Sequence, residues 1–469
     1  MDEKMKILVL NGSPAGKNSI TLQTVEYLKI CFPDHSYEVL QVGKQIRSME
    51  KDFSAAREKL EDADLILFCY PVYTFLVPSQ LHRFIELIKE QQVDLSGKYA
   101  TQITTSKHFY DITAHKFIEE NCADLNLRYL KGLSADMDDI LTKKGRREAK
   151  QFFRYVLWNI DNGFREPFRR TVRHTDDVRF TPVMAAGACK SKKMDNLRVA
   201  LVADFDPGEE GTALRAMIDR FLKRFPGECE LINLREFPFQ GGCLGCFHCA
   251  SDGTCVYKDG FDSYLREHIN DADAVVYACT IRDHSMGYRF KLYDDRQFCN
   301  GHRTVTMGKP VGYLVDGDLD AEENLRTLME ARAEVGGNYL AGVASDQHDP
   351  NSEIDCLVKS LVYVMRHHYT QPKNFYGVGG LKIFRDLIYE MQGLMREDHR
   401  FYKEHGFYDF PQKKKGRIAG MYLVGSLMGN EKLRRKMKFS MTDGMMLAYG
   451  KMLEKARTDK SYPECAITE

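Results

Sequence analysis

The chain has 469 residues, more than one ordinary domain needs, and its apolar fraction of 43% is enough to build buried cores. Lysine plus arginine and aspartate plus glutamate each number 67, so the formal net charge is zero. This balance argues against nucleic acid or an anionic membrane as the main partner, because both reward a basic excess. No apolar run is long enough to span a bilayer.

The N-terminal residues MDEKMKILVLNG are typical of a charged tip that enters a strand, rather than of a signal sequence. The 13 cysteines are an odd number, and four of them crowd into residues 243–255. In a large chain, such crowding indicates metal or redox chemistry rather than a disulfide framework. We therefore expect a cytoplasmic protein.

Five short apolar stretches recur in the same order along the chain, and each predicts a strand that is buried on both faces. The pairs are KILVLNGSP (6–14) and RVALVADFDP (198–207), YEVLQV (37–42) and CELINL (229–234), DADLILFCYPVY (62–73) and DADAVVYACTIR (271–282), KYATQITT (98–105) and KPVGYLVD (309–316), and YLKGLSAD (129–136) and YLAGVASD (339–346). Helix-period segments lie between them. The pattern predicts an α/β fold with two flavodoxin-like, doubly wound parallel five-stranded sheets in tandem. Two unrelated α/β domains with chance similarity are the alternative.

These boundaries divide the chain into four predicted parts. Residues 1–162 form a first domain, which we call the first half, and residues 197–350 form a second domain, which we call the second half. The basic, irregular stretch 163–196 between them is typical of a linker. Residues 351–469 follow as a C-terminal helical region, in which the basic stretches 412–417 and 431–438 are typical of solvated helix faces.

A loop without acidic residues, NGSPAGKNS (11–19), follows the first predicted strand and feeds a helix. We call it the first loop. Ligands of open parallel sheets bind beyond the carboxyl ends of the strands, and a helix N-terminus attracts anions. The hydroxyl and amide groups here predict a phosphate site, and an ordinary N-capped turn is the alternative. The candidates are Ser13, Asn18, Ser19 and Thr21.

Two further loops should reach the same edge of the sheet. The third-strand loop, PVYTFLVPSQL (71–81), is stiffened by prolines and could stack on a planar, partly apolar ring system. The fourth-strand loop, TTSKHFYD (104–111), closes the far side of the cleft, although its tyrosine and that of the preceding loop could instead be core aromatics. The candidate residues are Pro71, Val72, Tyr73, Thr74, Phe75, Thr104, Thr105 and Ser106.

With NGSPAGKNSIT and PVYTF in this order and position, the sequence resembles the flavodoxin-like NAD(P)H-dependent FMN reductases. The resemblance covers most of residues 5–140 and, more weakly, residues 197–346. It implies that the first loop holds the FMN phosphate, that the P-x-Y loop packs on the isoalloxazine, and that NADH or NADPH is the electron donor.

A cysteine insert, GGCLGCFHCASDGTC (241–255), distinguishes the second half from the first. Its spacing C-x2-C-x2-C-x5-C can bring Cys243, Cys246, Cys249 and Cys255 to one centre, and all-sulfur ligation suits an iron–sulfur cluster or zinc. The compact run favours [4Fe–4S], while zinc and free thiols on a structural loop stay open. The run resembles the cysteine motif of iron–sulfur flavoproteins, in which the cluster of one subunit lies near the flavin of its neighbour. That resemblance predicts an insert that faces residues 71–75.

The second half lacks the features that predict a flavin site in the first. Its loops ADFDPGEEGTAL (203–214) and VDGDLD (315–320) are acidic, and TIRDHSMGYRF (280–290) has no P-x-Y. Carboxylates oppose a phosphate dianion, so we place FMN in the first half and leave the second open. The tandem could form an internal pseudo-dimer or a homodimer.

The resulting hypothesis is an NAD(P)H-dependent flavin oxidoreductase that passes electrons through FMN, and through an iron–sulfur cluster if one is present, to a small-molecule acceptor or a redox protein. The alternative is a non-enzymatic electron-transfer flavoprotein that serves a protein partner. A third interpretation is a scaffold in which both sites have degenerated.

Overall fold

A computed structural model describes residues 4–166, 197–208 and 212–429, together with residues 446, 451, 453 and 454. Most of the predicted linker 163–196, residues 209–211 in the second half's first loop and all of the basic stretch 431–438 lie outside the described residues. The chain forms two compact units, Met1–His405 and Gly406–Glu469. The four-part division at 162, 196 and 350 stays a prediction.

The first sheet is parallel throughout, with strands in the order β2-β1-β3-β4-β5 and with β6 also paired to β4. Its strands are β1 Lys6–Asn11, β2 Ser36–Leu40, β3 Leu65–Pro71, β4 Tyr99–Ser106, β5 Arg128–Tyr129 and β6 Leu133–Asp136. Its helices are α1 Ile20–Cys31, α2 Val42–Met49, α3 Ser54–Asp62, α4 Ser79–Glu90, α5 Asp111–Asp124 and α6 Lys143–Asp161. The strand order reverses beside β1, because β2 lies on one side of it and β3 on the other. Ligands of open parallel sheets bind at such a point, so the loop after β1 lies at the ligand-binding edge.

The predicted fifth strand is split in two, so this sheet has six strands rather than five. Leu130 still donates its N–H to Ala100 O at 2.8 Å, and the chain then leaves β4 at Gly132. A Cβ on Gly132 would overlap the Gln102 side chain, which is buried and bonded to Tyr70 and Tyr129. The backbone bends around this polar group and rejoins β4 as β6.

The second sheet repeats this order as β11-β10-β9-β7-β8, again all parallel. Its strands are β7 Arg198–Ala203, β8 Glu228–Asn233, β9 Ala274–Thr280, β10 Pro310–Asp316 and β11 Tyr339–Ser345. Its helices are α7 Ala213–Arg224, α8 His248–Asp252, α9 Phe261–Tyr264 with a π-helical continuation Leu265–Asn270, α10 Gly287–Arg296, α11 Glu323–Gly336 and α12 Pro350–His367. The prediction of two parallel α/β sheets is confirmed, whereas their common origin stays a prediction.

The strands are apolar because both faces of each sheet are covered. Ile7 and Val9 of β1 pack toward α1 and α6, while Leu8 and Leu10 pack toward α2 and α4. All four side chains are at most 2% exposed. Burial of each one stabilises the fold by about 1.5–3 kcal/mol before entropy is counted. This core fixes the strand ends from which the loops project.

Three further helices complete the first compact unit or follow it. Helix α13, Phe375–Glu390, packs on α11, and α14, Arg396–Glu404, packs on α8 within the cysteine insert. Within the second unit, α15 spans Lys415–Gly429. No helix in the described part of the chain combines the length and the apolar character that crossing a membrane requires.

The two halves meet through α4 and α10, and the contact is reciprocal. The N–H of Ser79 at the start of α4 donates to Asp295 Oδ2 on α10 at 2.7 Å. The N–H of Tyr288 near the start of α10 donates to Glu86 Oε1 on α4 at 2.9 Å. The two donors, Ser79 and Tyr288, lie at the same distance in sequence from the Asp-Ala-Asp segment that precedes the third strand of their own half. The two acceptors, Glu86 and Asp295, do so as well. This is the contact pattern of a two-fold dimer, built inside one chain.

Candidate functional site

The first loop connects β1 to α1 through a short 3-10 turn, Gly16–Asn18. Asn11 holds the loop closed: its Nδ2 donates to Gly16 O at 2.9 Å and its Oδ1 accepts from Ser13 N at 3.2 Å. Gly16 has φ +59, in the region that favours glycine, and the Lys44 side chain lies against it. The loop therefore has a fixed shape with an amine beside it and no carboxylate of its own.

The hydroxyls of this loop keep their protons available. Ser13 Oγ accepts from Ala15 N, and Ser19 Oγ caps α1 by accepting from Leu22 N, both at 3.3 Å. Both side chains are buried, and neither hydroxyl donates a bond within the described residues. Each O–H can therefore point to an anion while the oxygen keeps its structural role. Asn18, by contrast, is exposed on the outside of the turn.

The fourth-strand loop meets the first turn of α1, directly after the first loop, through one buried pair of hydroxyls. Thr21 Oγ1 and Thr105 Oγ1 lie 2.6 Å apart, whereas Thr104 points to the other face of β4 and bonds His115 Nε2 at 2.9 Å. Successive side chains of a strand alternate between faces, which separates the two threonines. Ser106 Oγ accepts from the N–H of His108 at 2.8 Å. Of the three candidates on this loop, Thr105 is the one bonded to the start of α1.

The third-strand loop begins with a tight turn in a strained conformation. Tyr73 and Leu76 exchange both backbone hydrogen bonds, at 2.8 and 3.0 Å, and the central residues Thr74 and Phe75 have φ of 39° and 70°. Non-glycine residues rarely adopt this region, and its cost is of the order of 1–3 kcal/mol each. Thr113 Oγ1 donates to Phe75 O at 2.6 Å and holds the turn in place. Such strain is common at binding sites, where the surrounding structure enforces it.

The cysteine insert packs directly on this third-strand loop. Gln80 Nε2 donates to Cys243 O at 3.4 Å, and a Cβ on Gly245 would overlap the Tyr73 hydroxyl. The pKa of Tyr73 is raised, by burial first and then by the nearby charge of Cys243. Among the sequence-based candidates, the insert of one half and the Pro71–Phe75 segment of the other therefore lie together.

Within the insert, one backbone N–H group points at a sulfur. The Gly245 N–H donates to Cys243 Sγ at 3.4 Å. Burial raises the pKa of Cys249 to about 11, and the charge of Asp398 on α14 adds to the effect. The sequence analysis missed a fifth thiol, Cys299, whose pKa is raised first by burial and also by the nearby charges of Cys255 and Cys249. It is remote from the motif in sequence, so no spacing signal could have found it.

The corresponding loop of the second half is filled by its own side chains. Arg235 Nε bonds Asp204 Oδ1 at 2.8 Å, and its NH1 bonds Asp206 Oδ2 at 2.9 Å. Thr212 Oγ1 still caps its helix by accepting from Arg215 N at 3.3 Å, as Ser19 does in the first half. The helix start is alike, but carboxylates and a guanidinium occupy the place of the hydroxyl donors. The donor set fits an FMN phosphate in the first half and does not fit one in the second.

The turn after the third strand is also repeated in the second half with different chemistry. Arg282 and Ser285 exchange both backbone bonds at 2.9 Å, with Asp283 and His284 at φ 50° and 60°. The His284 ring lies between Asp124 and Glu322 instead of facing an open cleft. Burial lowers the pKa of His284, but hydrogen bonds to these two carboxylates outweigh it and raise that pKa to about 9.

Residues 5–114 match the family of NADPH-dependent FMN reductases. The resemblance seen in the loop sequences is thereby confirmed for residues 5–114, the part of the first half that the family model matches. The matched stretch ends inside α5, so it includes all three loops of the first half and none of the second. No curated protein matches the sequence.

Several solved structures resemble about a third of the chain. An NAD(P)H:quinone oxidoreductase from Methanothermobacter marburgensis is 12% identical over 36% of this chain and 100% of its own, with a TM-score of 0.28. A flavoenzyme NAD(P)H:(acceptor) oxidoreductase from Paracoccus denitrificans is 15% identical over 34% and 98%, with a TM-score of 0.29. An FMN-dependent NADH-azoreductase from Bacillus anthracis, in complex with FMN, is 12% identical over 33% and 99%, with a TM-score of 0.27. At these scores the likeness carries no conclusion about activity.

Proposed function

We propose that the protein is an NAD(P)H-dependent FMN oxidoreductase with a single flavin site, in the first half. The observation that carries the proposal is the first loop: two buried hydroxyls free to donate, at the N-terminus of α1, with no carboxylate in the loop. The match of residues 5–114 to the FMN reductases supports it. In this proposal Ser13, Ser19 and Thr21 hold the phosphate, with Asn18 at the rim.

The ring of the flavin would lie along the third-strand loop. One edge of the ring would be lined by Pro71, Val72, Tyr73, Thr74 and Phe75, and the other edge would be closed by Thr105 and Ser106. Thr104, which bonds His115 on the other face of β4, would support these residues without touching the ring. FMN supplies the hydride and electron chemistry, and the chain supplies position, exclusion of water and hydrogen bonds. The strained turn at Thr74 and Phe75 fixes that position, because the Thr113 hydrogen bond prevents its relaxation.

We further propose that Cys243, Cys246, Cys249 and Cys255 bind a [4Fe–4S] cluster beside the flavin. The Gly245 N–H that donates to Cys243 Sγ supports this, because such bonds tune iron–sulfur centres. Within the described residues, no three of these sulfurs lie within 4.8 Å of one another. Tetrahedral zinc needs about 3.8 Å between its sulfurs, which this conformation does not provide, and the preference for a cluster rests on the compact C-x2-C-x2-C-x5-C run.

The reciprocal α4–α10 contact supports an internal pseudo-dimer instead of a homodimer through this face. In such an arrangement the second half has given up its flavin loop and provides the insert that covers the first half's third-strand loop. The acceptor is then a small molecule or a redox protein, and a reducing cytoplasm is the compartment that suits free thiols and a cluster. The experiment described next also compares NADH with NADPH as the electron donor.

Anaerobic purification followed by an absorbance spectrum and a stopped-flow mix with NADH or NADPH tests these proposals. We expect one FMN per chain, reduced by at least one of the two donors, and an additional broad iron–sulfur absorption that Cys246→Ser removes without loss of flavin. A colourless protein after supply of FMN would overturn the flavin site. Full reduction by a protein partner alone, with neither nicotinamide active, would support the electron carrier instead.

A further inference from the structure

A cavity of about 190 Å³ lies between the third-strand loop of the first half, the second half and α13. Thr74 and Phe75 line it from the first half, and Phe384 lines it from α13. An apolar cavity of about 150 Å³ is large enough for benzene, so this one has room for a small aromatic molecule. It lies outside the first loop and outside the cysteine motif, and it shares Thr74 and Phe75 with the loop that the sequence assigns to the flavin ring.

The wall from the first half and α13 is aromatic. Phe109 stacks on Phe384 with ring centroids 4.2 Å apart, and Phe75 lies 5.1 Å from Phe109. Phe298 of the second half also lines the cavity and meets Tyr73 edge to face at 6.2 Å. Flat aromatic walls select flat ligands, because rings bury the most area when they stack or meet edge to face.

The wall from the second half carries apolar side chains such as Phe298 and Tyr313 together with polar ones; its polar part, which we call the polar wall, includes one group without a partner within the described residues. The buried Thr304 Oγ1 has no hydrogen-bond partner within the described residues. A buried hydroxyl without a partner costs free energy, and a ligand oxygen would satisfy it. This observation points to a ligand with a polar atom rather than to a hydrocarbon.

A second polar group on this wall is held in a defined orientation. His302 lines the cavity, and its Nδ1 lies 2.9 Å from Asp398 Oδ2, with the His302 N–H on the same oxygen at 3.1 Å. Asp398 is fully buried on α14, and Tyr402 of the same helix donates to His302 O at 3.1 Å. With Nδ1 turned to the carboxylate, Nε2 is the nitrogen left to bond a ligand.

We propose that this cavity binds a small aromatic molecule that carries a carbonyl oxygen, with His302 and Thr304 as its hydrogen-bond partners and Asp398 as the positioning residue of His302. The aromatic wall takes the ring and the polar wall takes the oxygen. Two sources share this chemistry, a free aromatic carbonyl compound and the nicotinamide ring. Its role as the place where the acceptor or the donor meets the flavin rests on the proposed function, but the binding itself does not.

The test uses the full-length oxidised protein without NAD(P)H, so that nothing turns over. Binding of acetophenone and of its carbonyl-free match ethylbenzene is measured by calorimetry. We expect Phe384→Ala to weaken both probes by about tenfold or more, the loss of one well-packed ring. Phe375→Ala is the matched control, because Phe375 lies on the same helix and is 85% exposed.

The polar wall is tested separately. His302→Gln and Thr304→Val should weaken the ketone and leave the ethyl probe unchanged, a difference that a merely structural role would not produce. Equal losses for both probes, or wild-type affinity in Phe384→Ala, would overturn the proposal, and Thr304→Val keeps the test open if Phe384→Ala does not fold. Displacement of the ketone by NAD⁺ assigns the site to the nicotinamide ring, and its absence assigns it to a separate carbonyl compound; either satisfies the proposal. Flavin content and flavin reduction are measured in the same samples, so failure of the proposed function is seen independently.

Discussion

The two halves of the chain share a sheet order, a capped helix after the first strand and a turn with two backbone hydrogen bonds after the third. The side chains in their loops nevertheless make different interactions. In the first half, Ser13 and Ser19 keep donors free at a helix N-terminus. In the second half, Asp204 and Asp206 are tied to Arg235 in the same place. The comparison teaches that the same backbone can present free hydroxyl donors in one half and a cluster of carboxylates and a guanidinium in the other, so a few side chains decide which anion-binding features the proposed site has.

The turns after the third strands of the two halves differ in the same way. The first half places Thr74 and Phe75 at the tip of its turn, where they line a cavity. The second half places Asp283 and His284 there, and both are engaged in ion pairs with the first half. One turn therefore serves a site, while its counterpart serves the contact between the halves. The predictions below break or sharpen this contrast.

The largest effect is expected from a charge added to the open loop. Aspartate caps helices as well as serine does, so the double variant Ser13→Asp and Ser19→Asp should fold while its carboxylates repel a phosphate. We expect almost complete loss of FMN, measured as flavin per chain after gel filtration. Thr212→Asp makes the same change at the equivalent cap of the second half and should keep full flavin. Flavin retained in the double variant would place the phosphate elsewhere.

The contact between the halves offers the next comparison, because its two equivalent carboxylates, Asp295 and Glu86, are paired with cations that differ in burial. Asp295 is fully buried against Lys291, so Asp295→Ala leaves a buried ammonium unpaired and should cost about 3–5 kcal/mol. Glu86, whose pKa burial raises to about 7, faces the more accessible Arg83, and Glu86→Ala should cost about 1–2 kcal/mol.

Urea unfolding of both variants, with the exposed Glu90→Ala as the control, measures this difference. Equal losses for Asp295→Ala and Glu86→Ala would mean that the contact is symmetric in energy as well as in geometry. A loss for Glu90→Ala as large as the others would show that helix α4 is sensitive to any change in charge, which would contradict the assignment to buried pairs.

The two parallel sheets could be predicted from the sequence, because strands that are buried on both faces consist of continuous apolar runs. The first loop was predicted as a unit, since Gly16, the hydroxyls and the lack of acids are local features. Thr104 could not be separated from Thr105 without the strand register that decides which face each occupies. Cys299 and His302 could not be found either, because tertiary packing brings them to the insert and the cavity from a segment without a motif.

The ion pairs of the second half's turn make stability depend on pH. The folded pKa of His284, about 9, lies above its unfolded value of 6.5, so its contribution is fully present below about pH 6.5 and is lost as the pH rises through about 9. The loss is at most about 3 kcal/mol for a shift of this size. His284→Gln should flatten the fall in unfolding free energy between pH 7 and 9, relative to the wild type, by about 2 kcal/mol, the part of this loss that falls in that range.

The exposed His348→Gln serves as the control for this titration, because His348 also lies beside a carboxylate but is 64% exposed. It should leave the pH profile of stability unchanged. A wild-type profile that is already flat across this range would contradict the raised pKa of His284 and, with it, the structural role assigned to the second turn.

The smallest expected effect concerns the backbone of the two turns. Thr74 is a β-branched residue in the left-handed region, so Thr74→Gly should relieve strain and raise the unfolding free energy by about 0.5–1 kcal/mol. Asp283→Gly makes the same backbone change at the equivalent position, but aspartate tolerates that region and its carboxylate pairs with Lys89 at 2.7 Å. We therefore expect no gain, or a small loss, from Asp283→Gly. Chemical denaturation of the two variants side by side gives the difference directly. If both gain equally, the ion pair at Asp283 contributes nothing; if neither gains, the first turn is not strained, and its conformation needs no binding site to account for it.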